Sequence, residues 1–407
     1  MSLGIISCPG SEIFADEVIG HLKKGFHRLY DNVILELSQK YNIDKKTAAE
    51  RLNFINDVNS PIYLSQDNDG IYRSPRFKIP TKFTMFSNGE IKSEIMESVR
   101  GKDLYIFQDV ENHHPVHFSG GDVKRVLSVN DHILTIFVTV NAARQAGAGR
   151  VTLVTPVYPY SRQHKNKGRE GLTAGNLGRI FEGLGVDRII TLDIHSREIS
   201  NAFHILRLEN LHASYQIIRI ISAIPDILKD DFVVVSPDTG AVDRNKFYAT
   251  ALKKPLALLY KERDYSIVTT DALKNNIAEI KLLGNVNGKT VLMADDMLDT
   301  GGTLLKAMQF LKDQGAVKVI CAISLPLFTG GAIKFFDDAY QKGLFFRIIG
   351  TNAVYHEDLL KREWYVNVNV TKLFAKTIAK LHRNLSLSSI LDNREIIVKH
   401  LQSDPSE

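Results

Sequence analysis

The sequence predicts an α/β protein with mostly parallel sheets, built as two related domains in tandem. Three observations point there. Short apolar runs bounded by turn residues alternate with amphipathic runs at helical spacing along almost the whole chain, the pattern of strands joined through crossover helices. The segment AARQAGAGRVTLVTPVYPYSR is echoed later by KDQGAVKVICAISLPLFTGGA, with a helix end, a Gly-Ala pair, a basic residue and an apolar strand in each. That echo is also the general grammar of a helix-to-strand joint, and it gains weight from the chain length. A chain of 407 residues, 44% hydrophobic and 24% charged, has the size and composition of two soluble globular domains.

Taken in order, LGIIS is a short apolar strand, and EIFADEVIGHLKKGF follows with apolar residues at helical spacing. KFTMFSNGEIKSEI reads as a second strand region and DLYIFQ as a short strand. The helix NDHILTIFVTVNAARQAGA, the strand RVTLVTPV, the helix LTAGNLGRIFEGLG, the strand RIITLDIH and the helix ASYQIIRIISAI complete the first half. The second half repeats the rhythm with FVVVSPD, AVDRNKFYATAL and LALLYKER. The strand and helix around residues 291–315 come next, followed by KVICAISLPLF, AIKFFDDAYQKG and FRIIGTNAV.

Two stretches break this rhythm. Residues 29–80 hold a helix-like piece, DNVILELSQKYNIDKKTAAERLNFIND, then a polar run rich in Asn, Asp, Pro and Ser, and they read as an insertion. Around residues 112–131, HHPVHFSGGDVKR is loop-like. Its His113, His114 and His117 have no carboxylate or cysteine at ligand spacing, which favours a solvated loop over a metal site.

Net charge is a modest +5, and the basic residues are scattered, so nucleic-acid binding is not implied. The two cysteines, Cys8 and Cys321, lie far apart in apolar stretches and read as buried thiols of a reducing compartment. With no signal-peptide pattern and no apolar run long enough for a bilayer, the chain reads as cytoplasmic and not membrane-bound.

The chemistry concentrates in VLMADDMLDTGGTLL, residues 291–305. An apolar strand delivers Asp295 and Asp296 into a loop of Asp299, Thr300, Gly301, Gly302 and Thr303, and an amphipathic helix opens from that loop. Glycines admit close backbone approach, helix-start N–H groups point at an anion, and carboxylates take sugar hydroxyls or Mg2+. The bland alternative is an ordinary strand–turn–helix with solvated acids and an N-capping Thr. A second concentration is PVYPYSRQHKNKGREG, where Arg162, Lys165, Lys167 and Arg169 crowd a loop that suits a lid over a polyphosphate.

The residue 291–305 string resembles the phosphoribosyl-diphosphate (PRPP) motif of type I phosphoribosyltransferases and PRPP synthetases. YSRQ with following lysines resembles the lid of PRPP synthetases, with His164 where that family usually has Asp. FSNGE, TLDIHS, SPDTGAVDR and YKER resemble further elements of the same family in the same order, with Ala241 where a second Gly is usual.

The resemblance covers roughly residues 3–26, 83–108 and 133–391. It implies two type I phosphoribosyltransferase-like domains, an N-terminal one over 1–214 and a C-terminal one over 215–382 carrying the PRPP loop. A tail, 383–407, would return to the first domain. It further implies ribose-phosphate diphosphokinase activity: transfer of diphosphate from MgATP to ribose 5-phosphate in a homo-oligomer, a dimer or hexamer.

By the same resemblance Phe86, Asn88 and Glu90 bind the adenine, and Arg162 and Gln163 contact ATP. His195 and Asp238 are linked to Mg2+, with Asp193 behind His195. Lys261 and Arg263 form the catalytic pair, and Asp295, Asp296 and the 299–303 loop hold ribose 5-phosphate. Ser98 and Arg100 match positions that help bind regulatory phosphate. Two rivals share parts of this pattern. A PRPP-consuming phosphoribosyltransferase has no need of FSNGE or YSRQ, and a non-catalytic regulatory homologue has no need of Lys261, Arg263 and His195.

Overall fold

A computed structural model describes residues 2–59, 75–119, 124–166, 168–224, 231–263 and 277–402; the side chains of 54–59, 261–263 and 277–279 lie outside the described set. The chain forms two compact units. The first comprises Met1–Ile190, Glu198–Glu209 and Thr371–Leu387, and the second Thr191–Arg197, Asn210–Val370 and Ser388–Glu407.

In the first unit the strands are β1 (Leu3–Ser7), β2 (Thr81–Met85), β3 (Ile91–Ile95), β4 (Asp103–Phe107), β5 (Arg150–Val154), β6 (Arg188–Leu192) and β7 (Arg207–Leu211). A five-stranded sheet runs in the order β1-β4-β5-β6-β7, and β1–β4, β4–β5 and β5–β6 pair in parallel. Helices cover such a sheet, so its central strands are mostly apolar; every residue of β4 is buried. β2 and β3 stand apart as an antiparallel ribbon.

The insertion begins inside the first helix. It lengthens it: a single helix spans Glu12–Tyr41, ending at Asn42 in the left-handed region with φ 51°. A second helix, Lys45–Asn59, folds back on it. The pair has its own small core of Ile34, Ala48 and Ala49, flanked by Tyr30, Leu37, Ile43 and Leu52.

The unit boundaries differ from the expected ones near 214 and 382. Helix Thr371–His382 belongs to the first unit, anchored at a buried carboxylate. Asp103 receives Arg150 Nε at 2.7 Å and Arg150 Nη2 at 2.5 Å, and His382 Nδ1 lies 2.9 Å from its Oδ2. Residues 388–402, part of the tail expected to join the first domain, instead lie in the second unit. There Ser222 Oγ and His400 Nε2 are 2.9 Å apart.

In the second unit the strands are β8 (Phe232–Ser236), β9 (Leu256–Arg263), β10 (Ile277–Leu283), β11 (Thr290–Leu298), β12 (Lys318–Pro326), β13 (Arg347–Thr351) and β14 (Tyr365–Val368). They form a seven-stranded sheet in the order β10-β9-β8-β11-β12-β13-β14. Only the edge pair β9–β10 is antiparallel. From β8 the chain goes through helix Val242–Leu252 to β9 on one side; from β11 it goes through helix Gly302–Asp313 to β12 on the other. The sequence of strands therefore reverses between β8 and β11, and ligands of open parallel sheets bind beyond the strand C-termini at such a switch point.

Met293, Ile323, Phe328, Phe336 and Trp364 lie in one buried cluster beneath it. Both cysteines are buried, and burial pushes the Cys8 thiol up to about 12, which makes it inert as a nucleophile at neutral pH. Among the described residues no helix is long and apolar enough to cross a membrane.

Candidate active site

Strand β11 runs past the acid pair to Leu298, further than its apolar run suggests, so Asp295 and Asp296 are held on a rigid strand rather than in a loop. Asp296 is 9% exposed, and its Oδ2 lies 2.7 Å from His195 Nδ1. The backbone N–H of Asp296 donates to Asp295 Oδ1 at 2.9 Å. The environment drives the two carboxyls apart. Burial, then the charges of Asp296 and Asp238, push Asp295 well above the usual carboxylate range. Burial also opposes ionisation of Asp296, but the His195 hydrogen bond and the Arg244 guanidinium outweigh it and hold its carboxyl low.

The loop after β11 turns at Gly301, whose φ of 74° is left-handed and whose Cβ, if present, would stand 2.3 Å from the Phe336 ring. Gly301 occupies the N-cap of helix Gly302–Asp313 with no side-chain cap, so the N-capping Thr of the bland alternative is absent. The first N–H groups of such a helix have no intrahelical acceptor and form an anion cradle. Gly302 is buried, Thr300 and Thr303 are half-buried, and Asp299 accepts a hydrogen bond from Thr329 Oγ1.

Asp238 follows β8 and accepts the backbone N–H of Ala241 at 3.0 Å. Ala241 itself has φ −92°, which any L-residue adopts, so replacing the usual glycine leaves this turn intact. Asn245, one helical turn on, is fully buried. Its Nδ2 donates to the carbonyls of Ala241 (2.9 Å) and Ala294 (2.8 Å), and its Oδ1 accepts from the N–H of Ala294 (2.9 Å). It thereby ties the turn carrying Asp238 to the strand position just before the acids. Sequence reasoning missed Asn245 because its partner lies 49 positions away.

Asp193 does not stand behind His195 as expected. The strand β6 ends at Leu192, and Asp193 takes a left-handed φ of 42°, which breaks the alternation that would have put both on one side. Its carboxylate faces Ser324 Oγ (2.6 Å), His212 Nδ1 (2.8 Å), the N–H of Ala213 (3.1 Å) and Arg244 Nη1 (3.3 Å). Burial opposes its charge, but Arg244 and His212 win and hold the carboxyl well below its usual range. The residue that braces His195 is Asp296. A carboxylate at one ring nitrogen is the usual support of a metal-binding imidazole, which fits His195 as one ligand of a cation. Among the described residues no group of three or more His, Cys, Asp and Glu side chains is placed to hold a metal by itself. Mg2+ commonly takes few protein ligands, completing its shell with water and substrate phosphates.

The remaining candidates lie on other elements. Phe86, Asn88 and Glu90 form the exposed tip of the β2–β3 ribbon, in the first unit. There Phe86 and Glu90 are joined by a 2.8 Å backbone hydrogen bond, and Asn88 Oδ1 accepts the N–H of Glu90 at 3.1 Å. Arg162 and Gln163 are exposed in the same unit, just after Tyr160, which has φ 58° and donates its hydroxyl to Asn130 Oδ1 at 2.6 Å. Lys165 pairs loosely with Glu198 at 3.5 Å, and Lys167 lies outside the described residues. Lys261 and Arg263 close strand β9; their side chains too lie outside the described residues.

Comparison with known proteins gives a consistent assignment. Residues 74–185 match the family described as the N-terminal domain of ribose phosphate pyrophosphokinase, and residues 205–359 match the phosphoribosyl transferase domain. The chain is 32% identical over 316 residues to ribose-phosphate pyrophosphokinase 1 of Listeria innocua, covering 76% of this chain and 88% of that protein. It is 32% identical over 310 residues to ribose-phosphate pyrophosphokinase A of Dictyostelium discoideum, with the same coverage of 76% and 88%. The phosphoribosylpyrophosphate synthetase structure from Mycobacterium smegmatis shares its fold, with a TM-score of 0.67 at 24% identity over 94% of this chain and 100% of that one. With its acid pair, its glycine-capped helix start and these relatives, the chain belongs to the ribose-phosphate pyrophosphokinase family.

Proposed function

We propose that this protein is a ribose-phosphate diphosphokinase: the C1 hydroxyl of ribose 5-phosphate attacks the β-phosphorus of ATP, the bond from that phosphorus to the α-phosphate oxygen breaks, and PRPP and AMP form. The observation that carries this reading is the end of β11, where two carboxyls of opposed proton affinity precede a helix start left open by Gly301. A 5-phosphate fits the N–H groups and threonine hydroxyls of Asp299–Thr303, and Asp295 and Asp296 take ribose hydroxyls. Bound Mg2+, met by His195 and Asp238, would supply positive charge to the transferred group. Lys261, Arg263, Arg162 and Gln163 are assigned to the ATP phosphates. Phosphoryl transfer asks for positioning and charge stabilisation more than for covalent chemistry, which matches this set.

The adenine is assigned to Phe86, Asn88 and Glu90. Phe86 is 48% exposed at the ribbon tip, the kind of surface a neighbouring subunit would complete, and supports a homo-oligomer, a dimer or hexamer. A cytoplasmic location fits the two unpaired, buried cysteines. Incubation with ribose 5-phosphate and MgATP should yield AMP and PRPP in equal amounts. ADP would indicate simple phosphate transfer, and no turnover would indicate a regulatory homologue.

A further inference from the structure

Within the first unit, helix Glu12–Tyr41 packs on helix Thr371–His382, with Phe14 edge-on to Phe374 at 5.1 Å between ring centres. Further along, the small residues Gly25, Ala375 and Ala379 line a cleft of about 300 Å³ that also reaches Leu22 and Phe26. Four cations line it as well: Lys24 and Arg28 on one helix, Lys372 and Lys376 on the other. Each pair is one helical turn apart, so like charges stand side by side on both walls, an arrangement that costs free energy in the free chain. Among the described residues none of the four has an ion-pair or hydrogen-bond partner.

Burial, then the charges of Lys372 and Lys380, lower the proton affinity of Lys376. Burial, then Lys24 and Lys372, do the same to His21, with Glu17 acting in the opposite direction.

We infer that this cleft binds a small oligophosphate, a diphosphate-sized anion whose two phosphoryl groups meet the cation pairs on the two helix walls. Its size lies at the small-molecule end of ligand cavities, which favours a compact anion over a macromolecular partner. The +5 net charge and scattered cations elsewhere do not extend the cleft into a nucleic-acid track. Binding replaces repulsion between these cations by charge-assisted hydrogen bonds, and it clamps helix Thr371–His382 to the first helix. The site shares no residue with the catalytic assignment above.

Backbone amide exchange of the full chain, measured with and without inorganic diphosphate, tests this. Exchange should slow in peptides covering residues 21–28 and 372–379 and saturate with concentration. Sulfate at matched ionic strength should have little effect there. In the double variant Lys372→Gln, Lys376→Gln the half-saturating diphosphate concentration for these peptides should rise about tenfold or more. Protection of the 299–303 loop by ribose 5-phosphate should be unchanged, which separates this site from the catalytic one. The inference is overturned if diphosphate leaves both helices unprotected in the unmodified chain. Equal protection by sulfate would overturn it too, as would undiminished protection in the double variant.

Discussion

Each unit contains the same passage of chain, a buried strand leading through a loop to a helix and on to a parallel neighbour, yet the two helix starts are built differently. In the first unit β4 is followed by a long loop, and helix Val129–Gln145 begins with a complete capping box. Ser128 accepts the N–H of Asp131 at 3.2 Å, and Asp131 accepts the N–H of Ser128 at 2.9 Å. In the second unit β11 reaches helix Gly302–Asp313 through the short Asp299–Gly301 turn, and the N-cap is a glycine without a side chain to offer. Helix Val129–Gln145 thus meets two of its donors with the Ser128 hydroxyl and the Asp131 carboxylate. Helix Gly302–Asp313 has no side-chain cap to do so. A helix start binds phosphate only if the chain does not cap it first, and of these two starts the open one supports the proposed seat of the sugar phosphate.

The largest effect should come from charge at the transferred group. Lys261→Ala should lower kcat by about two to three orders of magnitude with little change in either KM, if its ammonium acts mainly in the transition state. Steady-state kinetics decide it, and a loss confined to KM would reassign Lys261 to ground-state binding.

Closing the open helix start should come next. Gly301→Ala forces a side chain into φ 74° and against Phe336, so about 1–3 kcal/mol of stability and most ribose 5-phosphate affinity should be lost. Calorimetry with ribose 5-phosphate checks the affinity and thermal melting checks the strain. An unaltered affinity would mean that the sugar phosphate sits elsewhere.

Asp295→Ala and Asp299→Ala should weaken ribose 5-phosphate more than ATP. Equal weakening of both would place the nucleotide at this loop.

The pH response separates the units by their buried acids. Asp103, fully buried, has its proton affinity lowered because Arg150 and His382 outweigh the burial that opposes its charge. Its folded-state pKa is below the unfolded one, so its contribution is complete above the unfolded value and lost as pH falls through the folded value. Asp103→Asn should therefore flatten the acid limb of a melting-temperature profile and release helix Thr371–His382 first, seen as faster amide exchange there. An unchanged acid limb would remove Asp103 from the acid response.

The smallest effect should come from the capped helix start of the first unit. Ser128→Ala should cost about 1 kcal/mol of stability and leave the KM for ribose 5-phosphate unchanged. A changed KM would mean that the first unit's helix start also serves the ligand.

The strand and helix rhythm is legible along the chain, because apolar periodicity is local and each element needs only its own residues to declare it. The acid pair and glycine loop are legible too, since residues 295–303 are contiguous and their chemistry needs no distant partner. Which carboxylate meets which base is set by the fold. His195 finds Asp296 across 101 positions rather than Asp193 two positions away, because a single left-handed residue at the end of β6 turns Asp193 toward Ser324, His212 and Arg244. Asn245 and Ala294, and Thr329 and Asp299, follow the same rule. Hydrogen bonds and charges act through space over a few ångströms, while the pattern in a sequence is legible only along the chain.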